Sequence, residues 1–444
     1  MNRRNTALRY FDENRDFMES YVNAQIEQNR KGTVKVSVKD KDGKPVSGAK
    51  IKIKQKNHEF RYGANIFMLD ELETAEKNKI YRDEFAKTFN LATIPFYWDA
   101  FEPEEGKPRF SADSEKIYRR PPSDLCVNYC LEKGIEPKCH CLNYDFFIPA
   151  WLKDADVDTH KRALEKRFRE LAEHYADIIP TWEVTNETFR EPTAREYQTK
   201  FYKEDDFVEW SFRMADRYFP NNRLIINDYA VFEGNYVENR SRYYMQIERL
   251  LRNGIAHLDS IGIQFHSFFP QEREEEMAKT RYNPVYLYEV FNTYAKLGKK
   301  LQITEMTIPA YSNSDEDEAV QAELLENVYK VFFSHPSMEA AIYWNMVDGY
   351  AAFAPQGDMK AGENKYFGGV RRFDLSEKPA SKVLKNLFQN VWHTETESAT
   401  DDGGVAKLRG FYGEYDAEII CNGMTKTLTI PISSKRNNEF EVIV

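Results

Sequence analysis

Two glutamates form the pair that could do chemistry. Glu187 closes the run Trp182-Glu183-Val184-Thr185-Asn186-Glu187, and Glu305 closes Leu301-Gln302-Ile303-Thr304-Glu305. Both runs read as short β-strands of apolar and β-branched residues. Two carboxyl groups placed on either side of one acetal linkage can cleave it. One, protonated, hands its proton to the leaving oxygen; the other, ionised, attacks the carbon or activates water. Whichever of the two is the proton donor must stay protonated at working pH, so the charge of its partner is expected to raise its pKa. His266 lies two residues beyond Gln264, faces the same side of its strand, and can hydrogen-bond Glu305. The remaining histidines show no ligand spacing and no H-E-x-x-H run occurs, so no metal and no other cofactor is expected.

These acids need a frame. Eight short apolar or β-branched runs recur with helix-like segments between them: 61–67, 90–96, 136–142, 181–186, 223–229, 259–266, 301–306 and 341–346. Strands alternating with helices imply a parallel sheet, and eight such units close into a (β/α)8 TIM barrel. The fold class is therefore α/β. The fourth and seventh strands lie across the barrel mouth from each other, and polar residues gather at the strand ends, the face where barrels carry their chemistry.

Residues 1–31 read as one surface helix, and 60–393 as the barrel. Val34, Val36 and Val38 alternate, the turn Asp40-Lys41-Asp42-Gly43 follows, and Ile51 and Ile53 resume the alternation, so 32–59 reads as a β-hairpin. After a polar stretch, TETESATDDGG, residues 394–444 hold four more short strands, with Phe411, Tyr412 and Tyr415 as rings able to stack on sugars. Neither end can bury a core alone, so the two are expected to join in one small β-sandwich.

Composition narrows the partners. The 444 residues carry a net charge of −10, which argues against nucleic acid. No run reaches the ~18 apolar residues that span a bilayer, so no membrane partner is expected. The start, MNRRNTALRY, lacks the apolar centre of a secretory signal, which points to the cytoplasm, or to secretion if a leader has been removed. The five cysteines read as reduced, buried thiols rather than disulfides or a zinc site. Oligomeric state is not legible.

The order and spacing of several motifs resemble glycoside hydrolase family 10, the retaining endo-β-1,4-xylanases. They are Trp98-Asp99-Ala100-Phe101-Glu102-Pro103, His140 before Pro149-Ala150-Trp151-Leu152, Trp182 to Glu187, Ile226-Asn227-Asp228-Tyr229, Ile263-Gln264-Phe265-His266, Ile303-Thr304-Glu305, and Trp344 to Asp348. The resemblance runs from about 60 to 392. It implies Glu187 as general acid/base and Glu305 as nucleophile, with His266 and Asn186 at the reacting sugar. His140, Gln264, Trp344, Tyr144, Tyr97 and Asn227 are implied as substrate contacts. It also implies carboxyl groups about 5–5.5 Å apart, as retention requires.

Where the family grips sugars on the non-reducing side with a Glu-Asn pair and a Lys, this chain has Thr93, Ile94 and Tyr97. That change predicts an apolar, aromatic wall and a decorated xylan or short oligosaccharide as substrate. Alternatives are a barrel glycosidase for another β-linked glycan or an aryl glycoside, or a non-catalytic carbohydrate-binding protein.

Overall fold

The computed structural model describes residues 2–188, 199–229, 231–232 and 241–444. The N-terminal segment is not one helix. It runs through short helices Arg3–Ala7 and Arg9–Glu13, a π-helical turn Phe17–Val22, and a helix Asn23–Arg30. The Asn14 side chain donates to the Tyr10 carbonyl at 2.8 Å, which offers the backbone a competing partner where the second helix ends. Ala7, Leu8, Phe11, Met18, Val22 and Ile26 are buried in the main core, so the segment is a strap on the barrel. Arg3 fastens one end, pairing with Glu274 and Asp317; Arg30 fastens the other, donating to the carbonyls of Phe333, His335 and Met338.

Strands β1 (Lys31–Lys39) and β2 (Lys50–His58) follow, but they do not form the expected hairpin. The tight turn is present, with Asp40 Oδ1 accepting from the amides of Asp42 and Lys44. Pairing stops at the single bridge Lys39–Pro45, because Pro45 has no N–H to continue a ladder. The chain then crosses to a second sheet.

The barrel strands are β3 (Arg61–Asn65), β4 (Leu91–Pro95), β5 (Glu136–His140), β6 (Thr181–Asn186), β7 (Arg223–Asp228), β8 (Ser260–His266), β9 (Lys300–Thr307) and β10 (Met338–Tyr343). They close in sequence order, β10 returning to β3 in parallel register. This is the (β/α)8 barrel read from the alternating pattern. The last strand begins at Met338, before the predicted start, so Trp344 to Met346 belong to the loop above it.

Strands β11 (Glu395–Ala399), β12 (Val405–Phe411), β13 (Gly413–Cys421), β14 (Met424–Ile432) and β15 (Glu439–Ile443) complete two sheets. One has the order β12-β1-β15, the other β11-β2-β13-β14. Val34, Val36 and Val38 of the first meet Ile51, Ile53, Ala417 and Ile419 of the second in one separate core, so both chain ends build the sandwich. Strand β11 lies inside the stretch read as a polar linker. ETESA offers no apolar alternation; it pairs with β2 through its backbone at an edge, flanked by exposed Lys50–Glu397 and Lys54–Glu395 pairs. Tyr415 and Phe411 are not platforms for sugar: both are buried, and the Tyr415 hydroxyl donates to the Phe411 carbonyl at 2.5 Å.

Candidate active site

A cavity of about 810 Å³ opens at the C-terminal ends of the barrel strands. Nine of the expected residues line it: Glu187, Glu305, His266, Asn186, His140, Gln264, Trp344, Tyr144 and Tyr97. Asn227 does not. It is 0% exposed and lies beneath the cavity floor, so it positions other groups rather than touching substrate.

Its bonds show how. Asn227 Oδ1 accepts from the Thr304 hydroxyl at 2.5 Å, which fixes the amide. The Nδ2 group then faces Glu305 Oε1 at 2.9 Å, Asn186 Oδ1 at 2.9 Å and Glu183 Oε1 at 3.2 Å. Gln264 Nε2 continues the chain, donating to Glu187 Oε1 at 3.2 Å and Asn186 Oδ1 at 3.3 Å. The carboxyls of Glu187, just past β6, and of Glu305 on β9 are thereby tied through Gln264, Asn186 and Asn227. With its Oδ1 held by two amides, Asn186 lines the cavity, and its own N–H donors meet no protein acceptor among the described residues.

Room for this arrangement comes from Gly262 on β8. A Cβ there would stand 2.7 Å from Asn227 Oδ1 and 2.8 Å from the Ile226 carbonyl, closer than any real contact. Gly262→Ala is therefore expected to cost about 1–3 kcal/mol, the usual penalty of overpacking, and to lower kcat more than KM by displacing Asn227. A melt combined with initial rates checks it; an unchanged kcat would mean that Asn227 does not hold Glu305 in place.

Each carboxyl has its own support. Tyr144 OH donates to Glu187 Oε2 at 2.5 Å, so this tyrosine holds an acid rather than offering only its ring. Glu187 has a left-handed backbone, φ 51°, uncommon for a residue with a side chain and typical of functional loops. A register shift between Glu183 and Thr185 precedes it and re-aims the end of β6.

Glu305 is 4% exposed and meets His266 Nε2 at 3.1 Å, the contact expected from the strand pattern. His266 Nδ1 sits 3.0 Å from the Thr307 hydroxyl, and burial lowers the imidazole to about 4, leaving it neutral. The network assigns Nδ1 as acceptor from Thr307 and Nε2–H as donor to Glu305.

An upward pKa shift falls on Glu305, the residue that the resemblance implies as nucleophile. Burial is the main cause; Glu183 and Glu187 add repulsion, His140 opposes it, and the carboxyl is pushed up to about 8. The reason is depth: desolvation penalises the charged form most where water is excluded.

Glu183 was missed as a site residue. It is fully buried and bonds Lys138 Nζ at 2.6 Å and His140 Nδ1 at 2.9 Å. Burial alone would raise its pKa, but His140 and Lys138 overcome that and bring it to about 2. The signal was legible: Lys138 and Glu183 are opposite charges inside adjacent strands. His140, Cys141 and Glu183 place donor atoms within 4.8 Å of one another, yet both Glu183 oxygens already bond Lys138 and His140, and burial keeps the Cys141 thiol protonated. That cluster is a hydrogen-bond network, not a cage for a cation.

His140 also differs from expectation. Its Nε2 lies 2.9 Å from the Tyr97 hydroxyl, so both ring nitrogens are engaged with protein. Trp344 stands edge-on to His140, His266 and Phe67 in the cavity lining. Thr93 and Ile94 are fully buried and form no wall. The wall is Tyr97, with the Arg120 guanidinium 3.8 Å above its ring centroid. Phe353, 71% exposed, marks the rim of the cavity.

The family model described as glycosyl hydrolase family 10 matches residues 56–357, more than half of the chain. Over 410 residues the chain is 23% identical to the anti-sigma-I factor RsgI6 of Acetivibrio thermocellus, spanning 91% of this chain and 47% of that protein. It is 22% identical to endo-1,4-beta-xylanase 2 of Arabidopsis thaliana over 447 residues, 99% of this chain and 37% of that protein. The chain thus spans less than half the length of these relatives. In fold it is similar to xylanase 10B of Thermotoga petrophila, solved in complex with xylobiose, with a TM-score of 0.59 at 22% identity over 75% of this chain and 95% of that one. With a closed barrel, paired acids at its mouth and the family match across that barrel, the chain belongs to glycosyl hydrolase family 10.

Proposed function

We propose that the protein is a retaining glycosidase that hydrolyses β-1,4-xylosidic linkages in xylan or its fragments. The observation that carries this reading is the pair Glu187, just past the end of β6, and Glu305 on β9, opening into one cavity with separate hydrogen-bond donors. Relatives named as endo-1,4-beta-xylanases support the choice of sugar.

In the first step Glu305, as carboxylate, attacks the anomeric carbon while Glu187 gives its proton to the glycosidic oxygen. The C–O bond to the leaving sugar breaks and a glycosyl ester forms on Glu305. Water then enters, Glu187 takes a proton from it, and the resulting attack on the anomeric carbon expels Glu305 as carboxylate. Asn227 and His266 hold Glu305 by two bonds that favour its charged form. The free N–H donors of Asn186 suit the 2-hydroxyl of the sugar being cleaved, a contact that tightens as the ring flattens.

Proton NMR during hydrolysis of xylo-oligosaccharides should show the β-hemiacetal first, converting only later to the α form by mutarotation. Initial release of the α form would assign an inverting mechanism. No release from xylan, xylo-oligosaccharides, β-glucan or aryl β-glycosides would leave only carbohydrate binding.

A further inference from the structure

The glycone wall carries a cation that no mechanistic step uses. Arg120 follows Arg119, whose backbone is left-handed at φ 61°, and precedes Pro121 and Pro122. Its amide closes a tight turn on the Ile117 carbonyl at 2.8 Å. A residue before proline is steered away from helical geometry, so the turn presents the two arginines rigidly.

Their guanidinium groups do different work. Arg119 is spent on structure: it donates to Asn345 Oδ1 at 3.1 Å and to the Tyr350 carbonyl, tying this turn to the last barrel loop. Arg120 sits over Tyr97, its Cζ 3.8 Å from the ring centroid, with the Phe147 centroid at 5.3 Å and that of Phe67 at 5.7 Å. Its protein acceptor among the described residues is the Arg119 carbonyl, at 2.9 Å. A guanidinium has five N–H donors, so most of its edge is open to the cavity it lines.

Such a group is costly as it stands. Burial lowers Arg120 to about 10, so it remains a cation at neutral pH. Asp99 attracts it at longer range, but Asp99 Oδ1 accepts from the Ala100 amide at 2.7 Å and makes no ion pair with it among the described residues. A partly buried guanidinium with an open fork is the geometry that takes a carboxylate through two parallel N–H···O bonds. The half-buried Phe147 ring beside it supplies an apolar surface for a sugar ring. The positions where the resemblance leads one to expect an anionic grip hold Thr93 and Ile94 instead, so no carboxylate there repels a second one.

We infer that Arg120 is a specificity residue for a carboxylate on the glycone side, so that the preferred substrate is a xylo-oligosaccharide or xylan bearing a uronic acid branch. This rests on the proposed glycosidase reading and deepens it.

The test compares three oligosaccharides of one backbone: undecorated, branched with glucuronic acid, and the same branch as its methyl ester. In the wild-type enzyme kcat/KM for the acid should exceed that for the ester at least tenfold, the gap narrowing in 0.5 M salt. Arg120→Gln should bring the ratio to within about twofold, and Arg120→Lys should restore part of it. Equal rates on acid and ester in the wild type, or an undiminished ratio in Arg120→Gln, would overturn the assignment. The wild-type comparison does not depend on how the variants fold.

An aryl β-xylobioside serves as the control for the underlying reading. If it is cleaved while acid and ester react alike, the uronate inference alone fails. If nothing is cleaved, the glycosidase reading fails. Calorimetric titration of the wild type with acid and ester then decides the carboxylate site by itself: tighter binding of the acid supports it, and equal binding overturns it.

Discussion

Glu305→Ala should abolish turnover on every substrate, whereas the loss in Glu187→Ala should depend on the leaving group. Removing the nucleophile denies the reaction its covalent intermediate, a loss expected to exceed about 10⁴-fold. Removing the acid forfeits proton transfer, about 10²–10⁴-fold for an ordinary sugar leaving group. A dinitrophenolate departs without a proton, so glycosylation of Glu187→Ala by a dinitrophenyl β-xyloside should stay within about tenfold of wild type. Deglycosylation should then limit the rate, because water has lost its base, and a burst of phenolate should precede a slow steady state. Equal losses in both variants on this substrate would overturn the division of roles. So would a burst in Glu305→Ala and none in Glu187→Ala. Both variants should keep the wild-type circular dichroism, since neither side chain fills the hydrophobic core.

How much of this could be read in advance follows from what each signal depends on. The barrel strands were legible because each is a local run with its own composition, repeated at the spacing of a strand plus a helix. Their C-terminal polar residues pointed to one mouth for the same reason. Pairing is not local. The alternation of β1 and β2 said that each has one buried face, but nothing about which strand lies beside it, and Pro45 diverts the chain to the other sheet. Strand β11 was invisible because its side chains show no apolar alternation and it is placed by backbone pairing with β2.

At the site, a polar residue at a strand end could be assigned to the mouth, but its depth could not. Asn227 is on β7 where a contact with sugar looked plausible, yet it holds Glu305 from below, and only Gly262 on the next strand leaves it space. Arg120 comes from a turn between elements, where sequence patterns say least about which wall a side chain will join.

The second large effect concerns stability rather than rate, and it follows from the depth of Glu305. Unfolded, a glutamate titrates at 4.5; in the fold burial and the nearby carboxylates push this one to about 8. Between those values the native protein holds a proton that the unfolded chain has released. Stability therefore falls as pH rises from about 4.5 and levels off above about 8. The ionised side chain destabilises the fold by several kcal/mol at most, at ~1.4 kcal/mol per pKa unit.

Glu305→Gln keeps the shape and removes the charge. The Tm difference, variant minus wild type, should be small near pH 4.5, grow steadily towards pH 8 and stay constant above it. A gap that does not change with pH would mean that Glu305 titrates like an exposed carboxylate. The same shift bears on turnover. The dyad passes through a singly protonated state between two macroscopic pKa values, and chemistry requires that proton on Glu187. A sugar oxygen placed beside Glu187 draws the proton there, while Asn227 and His266 receive the charge left on Glu305. Binding energy from the substrate thus offsets the destabilisation that the empty cleft carries.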